Sequence, residues 1–190
     1  MKGRLLLHIC CAPDATIPWP ELIAEGWETE GYFYGGNIHP RAEYEKRKAA
    51  VLTVAQRTAA NAKTPDWQTK EWFDFVRGTE KAPEGGARCA LCFEKQLDAA
   101  AEYAAAHGFT HLCTTLTISP HKNVALINEI GAECCQRHGL IWLERVFRKN
   151  NGFKRSVEAS REMGLYRQNY CGCIYSLRSR LRKEVDCNEK

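Results

Sequence analysis

Six of the ten cysteines in this 190-residue chain stand in three groups whose spacing suits chemistry. Cys10 and Cys11 are adjacent and followed by Asp14, Cys89 and Cys92 have the Cys-x-x-Cys spacing, and Cys171 and Cys173 are separated by one glycine. At a helix start, Cys-x-x-Cys lets two thiolates reach one metal or cluster, or close a redox disulfide, and the helix N-terminus favours thiolate over thiol. Taken alone it supports zinc, an iron-sulfur cluster or a thioredoxin-type dithiol about equally. Together with Cys10 and Cys11 it offers four sulfurs, which suits structural zinc or a cubane cluster. Adjacent cysteines strain against the usual zinc chelate spacing, whereas a cluster offers separate iron corners, so the cluster ranks first. Cys171-Gly172-Cys173 suits a tight, strained and therefore labile disulfide; the alternative is two further metal ligands. Asp14 is either an N-cap or a hard oxygen ligand for a metal with open positions, as a Lewis acid requires.

The remaining cysteines provide a contrast. Cys134 and Cys135 lie inside a predicted helix without a partner motif and read as packing residues. Cys113 reads as mid-strand core and Cys187 as a tail residue with no specific role. His8 reads as a hydrogen-bonded core histidine, while His39 and His121 at strand-to-helix edges are candidate proton donors or phosphate contacts.

The elements that must position these groups start from Leu5-Leu6-Leu7-His8-Ile9, an apolar run that ends at Cys10-Cys11-Ala12-Pro13-Asp14. It reads as a strand buried on both faces that opens into a reactive loop, and in open parallel sheets ligands bind beyond such strand ends. A short helix over 18–26, a strand running into a turn over 31–40 and a helix over 42–62 follow. An aromatic helical segment spans 70–77, and a loop over 79–86 leads to the Cys89 helix, which ends at Gly108. Next come a strand over 109–116, a helix over 122–138 with Ser119 as N-cap and Pro120 at its first position, and a strand over 140–146. Helices over 152–164 and 174–183 close the chain. This alternation predicts a doubly wound, mostly parallel α/β sheet in a single domain spanning 1–190, with a helical C-terminal extension over 147–190.

Apolar content is 44%, ordinary for a globular protein, and neither a signal-peptide pattern nor a membrane-length apolar segment is present, so the expected location is cytoplasmic. In a reducing compartment ten cysteines point to metal or redox chemistry before a disulfide framework. Net charge is +4, but Arg145 to Lys183 holds eleven Lys and Arg against Glu158 and Glu162, a local +9. That asymmetry suits an anionic partner such as RNA; the alternative is a set of solvated helix faces. Tyr166, Tyr170 and Tyr175 interleave with Arg167, Arg178, Arg180 and Arg182, an arrangement that either stacks unpaired bases and holds phosphates or packs into the core.

Five stretches in order resemble the QueH-type epoxyqueuosine reductase family: His8 to Asp14, Asn37-Ile38-His39-Pro40, Arg88 to Phe93, Thr114 to Asn123 and Gly164 to Cys173. The resemblance implies reduction of the epoxide of epoxyqueuosine at the tRNA wobble position to a cyclopentene, the last step of queuosine formation, without cobalamin. It also implies a fold similar to PP-loop nucleotide-binding proteins, with Cys10-Cys11-Ala12-Pro13 in place of their phosphate-binding glycine loop. Carried onto this chain, Cys10, Cys11, Cys89 and Cys92 match the 4Fe-4S positions and Cys171 and Cys173 the redox-active pair. An additional iron near the cluster has Asp14 as its candidate ligand, and an unidentified donor supplies electrons. Two rivals are a non-catalytic RNA-binding protein with structural zinc and a general thiol-disulfide oxidoreductase.

Overall fold

A computed structural model describes residues 2–188, with side chains through Val185, so the side chain of Cys187 lies outside the described residues. Among them the strands are β1 (Arg4–His8), β2 (Glu28–Tyr32), β3 (Ala62–Lys63), β4 (His111–Thr114) and β5 (Ile141–Trp142). The helices are α1 (Ala12–Ala15), α2 (Pro18–Ala24), α3 (Arg41–Arg57), α4 (Lys70–Phe75), α5 (Ala87–Ala106), α6 (Val124–Arg137), α7 (Gly152–Glu162) and α8 (Ile174–Asn188).

β1 is central because its leucines can be covered on both faces. Leu5 and Leu7 pack on one side with Trp19 of α2 and Tyr44, Val51 and Val54 of α3. Leu6 packs on the other with Trp72 of α4, Leu97 of α5 and Ile127 of α6. This is the period of two expected of a strand between helical layers. The sheet order is β3-β2-β1-β4-β5 and every pairing is parallel, which makes it a doubly wound α/β sheet with α7 and α8 as the helical extension. The chain winds outward from β1 through β2 and β3, then returns to its other side with β4 and β5. The switch point therefore lies between β1 and β4, and the crevice beyond their carboxyl ends is where such folds bind ligands.

Several boundaries differ from expectation. The second strand covers 28–32 instead of beginning at Gly31, because pairing to β1 recruits Glu28, Thr29 and Glu30, and Gly35 at φ +71° then turns the chain beside the Tyr44 ring. The expected helix over 42–62 ends at Arg57; Ala62 and Lys63 form β3 instead, and Gly31 and Phe33 amides donate to Asn61 and Lys63 carbonyls at 2.8 and 2.9 Å. The fifth strand keeps only Ile141 and Trp142, which pair with His111 and Leu112 at the start of β4.

The cap of α6 is also corrected. Asn123, not Ser119, caps it, its side chain accepting from the Leu126 amide at 3.2 Å, and Thr115–Ile118 forms a 3₁₀ turn instead of strand end. Residues 119–122 are consequently a loop at the switch point.

Candidate functional site

The loop after β1 delivers Cys10, Cys11 and Asp14 to the crevice. The Cys10 sulfur lies 3.9 Å from that of Cys11 and 3.2 Å from an Asp14 carboxylate oxygen. One ligand atom from each of the three lies within 4.8 Å of the others, close enough to share a metal ion. Thr115, just past β4, accepts from the Cys10 amide at 3.2 Å and donates to its sulfur at 3.4 Å, tying the two switch-point strands together. The N-cap of α1 is Cys11, so the capping reading of Asp14 does not hold; Asp14 lines the cavity instead. The hydrogen bond to Cys10, together with burial, pushes the Cys11 thiol well above the ordinary range.

Cys89 and Cys92 sit in the first two turns of α5. The Cys89 sulfur accepts from the Gly85 amide at 3.2 Å. The Cys92 sulfur accepts from Trp72 Nε1 at 3.3 Å and Gln96 Nε2 at 3.1 Å. Burial pushes both thiols up, Cys92 far up, so the expected preference of the helix N-terminus for thiolate is outweighed by desolvation.

The Cys171-Gly172-Cys173 loop closes the same cavity, about 420 Å³, which all six thiols line. Arg47 of α3, 2% exposed, pairs with Glu43 at 2.8 Å and donates to the Cys171 and Tyr170 carbonyls at 2.8 and 3.0 Å. Tyr166 donates to the same Glu43 carboxylate at 2.7 Å, Tyr170 to the His39 carbonyl, and the His39 amide to the Gly172 carbonyl at 2.9 Å. Gly172 adopts φ +142°, and a Cβ there would sit 3.1 Å from the Arg47 guanidinium. The backbone conformation therefore favours glycine between the two cysteines, and any side chain there would also press on this clasp. Both thiols are free, Cys173 buried and Cys171 open to the cavity.

Tyr166 and Tyr170 thus serve as clasp residues, and Tyr175 carries the Arg88 guanidinium over its ring at 4.7 Å. All three are half-buried and not core residues. The basic tail is partly neutralised: Arg145 pairs with Glu25, Arg155 with Glu21 and Arg180 with Glu184. Arg167 lines the cavity, and Arg178 and Arg182 line a neighbouring cleft with Lys81.

Cys113, Cys134 and Cys135 are at most 1% exposed and belong to the core, as expected, and His8 is a core residue bonded to Thr114 at 2.9 Å. His121 lines the cavity. His39 does not: its ring lies against Phe73 and Trp72 with neither nitrogen bonded, so a phosphate or proton-donor role there is withdrawn.

Burial pushes the His39 pKa down to about 4. The unfolded imidazole takes a proton below its ordinary value of about 6.5 and the folded one resists, so stability present above that value is lost as pH falls toward 4. The loss at pH 4 is up to about 3 kcal/mol. His39→Phe should shrink the difference between urea unfolding free energies at pH 7 and pH 4; an unchanged difference would refute the assignment.

Comparison with known proteins bears on this cavity. The family model described as "Epoxyqueuosine reductase QueH" matches residues 5–179, nearly the entire chain and all six cavity cysteines. The chain belongs to the QueH epoxyqueuosine reductase family. Epoxyqueuosine reductase QueH of Streptococcus pyogenes is 40% identical over 184 residues, covering 93% of this chain and 71% of that protein. Its counterpart from Thermotoga maritima is 36% identical over 191 residues, covering 99% and 97%. As a QueH member the chain is an oxidoreductase of queuosine biosynthesis. Among solved structures, the zinc-inhibited form of teicoplanin deacetylase Orf2 aligns with a TM-score of 0.45 at 12% identity over 73% of this chain and 65% of that one, a likeness too slight to bear on chemistry.

The QueH cavity also contains groups that residue spacing had not assigned. Lys122 lines it with no ion-pair partner among the described residues; burial alone would lower its pKa, but Cys10, Cys171, Asp14 and Cys11 hold it above the usual ammonium range. Gln96 stands four residues after Cys92, a helical spacing that could have marked it as facing that sulfur, and Arg47 likewise stands four after Glu43. Trp72 reaches Cys92 only through the tertiary fold, and no local signal marks it.

Proposed function

We propose that this chain reduces the epoxide of epoxyqueuosine in tRNA to queuosine in the cytoplasm, without cobalamin, using a 4Fe-4S cluster and the Cys171/Cys173 dithiol. The observation that carries this reading is that six thiols from three distant segments line one cavity at the sheet's switch point. Cys10, Cys11, Cys89 and Cys92 would hold the cluster. A single tetrahedral zinc, with bonds near 2.3 Å to sulfur, needs its ligands within about 4 Å of one another. Among the described residues only Cys10, Cys11 and Asp14 bring three candidate ligand atoms within 4.8 Å of one another, and Cys89 and Cys92 stand outside that group. That favours a cluster, with its wider ligand span, over a four-cysteine zinc site. It also leaves Asp14 as the oxygen ligand for an additional iron.

Bound there, the cluster would supply one-electron transfer and the additional iron a Lewis acid. The chain's own groups balance the rest. Both epoxide C–O bonds break, a C=C bond forms, and the oxygen leaves as water with two protons. The Cys171 and Cys173 thiols provide two electrons and two protons as they join in a disulfide, which an external dithiol or protein donor must reduce again. Lys122, a cation among the thiols, offers a hydrogen bond to the departing oxygen and can relay one of those two protons to it, regaining a proton from the thiols. Arg167 at the rim, with Arg178, Arg182 and Lys81 beside it, suits the phosphates of the RNA that brings the nucleoside in.

Anaerobic purification with iron and sulfide analysis, followed by incubation with epoxyqueuosine-containing tRNA and mass analysis of the wobble nucleoside, tests this. The expected result is iron with sulfide and loss of one oxygen from the nucleoside. A colourless zinc protein with no turnover would refute it, as would reduction of protein disulfides with no action on tRNA.

A further inference from the structure

The four sulfurs assigned to the cluster have unequal surroundings. Cys10 faces the Asp14 carboxylate at 3.2 Å and receives the Thr115 hydroxyl at 3.4 Å, and Cys89 receives one backbone amide, but Cys92 receives two side-chain N–H groups. Both donors are buried, Trp72 at 0% and Gln96 at 3% exposure. A neutral thiol is a weak acceptor, so two desolvated N–H groups aimed at one are poorly satisfied. An anionic, metal-bound sulfur satisfies both. Gln96 is fixed further by a bond from the same nitrogen to the Cys92 carbonyl at 2.9 Å, which holds its amide over the sulfur of its own helix turn.

We propose that Trp72 and Gln96 are positioning residues that act through Cys92 to raise the reduction potential of the cluster. The inference rests on the cluster reading above. Reduction adds one electron, and the negative charge it brings is spread onto the cysteine sulfurs; N–H donors directed at a sulfur stabilise that more negative state over the oxidised one. The asymmetry also places the most stabilised ligand on the α5 side of the cavity, away from the Asp14 carboxylate.

The test is a mediator-poised redox titration of the reconstituted protein followed by EPR. Gln96→Met keeps the side-chain volume and removes the donor; Trp72→Phe removes the indole N–H and keeps an aromatic ring. Each should lower the reduced-to-oxidised ratio at the wild-type midpoint roughly tenfold, about 59 mV for one electron. Trp67→Phe is the control, because its indole donates to the Ile38 carbonyl at 2.9 Å and not to a sulfur, and its midpoint should match wild type. A midpoint that is unchanged or higher in Gln96→Met, with iron and sulfide content intact, overturns the proposal. Absence of iron and sulfide from the wild-type protein overturns the cluster reading itself and is told apart by the metal analysis. Because Trp72 is a core residue, Gln96→Met alone is sufficient to decide.

Discussion

Cys171→Ser should lose repeated turnover on epoxyqueuosine-containing tRNA by roughly 10³-fold or more, the scale seen when a group that takes part in bond-making is removed. Serine cannot close a disulfide with Cys173, so the two electrons and two protons assigned to the pair have no source in the chain. Iron and sulfide content should stay at the wild-type level, because Cys171 is not among the four cluster cysteines. Cys173→Ser should behave the same way. Full multi-turnover activity of Cys171→Ser with the physiological reductant would remove the dithiol from the mechanism.

A second large effect is expected at the start of α5. Cys89→Ala takes away one of four sulfurs, and bound iron, sulfide and visible absorbance should fall to near background together with activity, since a cluster lacking a thiolate corner is held by the remaining three alone. Cys134→Ala is the matched control. It also removes a buried thiol, but one packed between α6 and α5 outside the cavity, so the protein should retain its iron and lose only stability, about 1 kcal/mol. Equal iron loss in both variants would show that the absorbing centre lies elsewhere, and iron retention in Cys89→Ala would end the four-cysteine assignment.

The parallel sheet was legible because β1 is a run of three leucines with no polar face, and the reactive loop because the run stops at two cysteines and a proline. The Cys89 helix start was legible from its spacing after a Gly-rich loop. What was not legible depends on partners far away in the chain. β3 is two residues, Ala62 and Lys63, with no strand pattern of its own, and exists because β2 offers it hydrogen bonds. Ser119-Pro120 is a good local helix start, yet Asn123 takes the cap three residues from Leu126, and the displaced loop brings Lys122 to the thiols. His39 looked like a site residue from its place at a strand end, but the aromatic side chains of α4 enclose it. The thiol acidities were misjudged for the same reason: a helix terminus is visible locally, and the burial that outweighs it is not.

At residues 171 and 172 the clasp around the C-terminal pair recognises main chain. Arg47 reaches carbonyl oxygens of residues 170 and 171, and the Gly172 carbonyl is taken by a backbone amide. Such contacts are blind to side-chain identity, so residue 171 can be exchanged without releasing its anchor. A serine put there occupies the berth that the thiol left, and any change in behaviour then reports the missing sulfur and not a displaced segment.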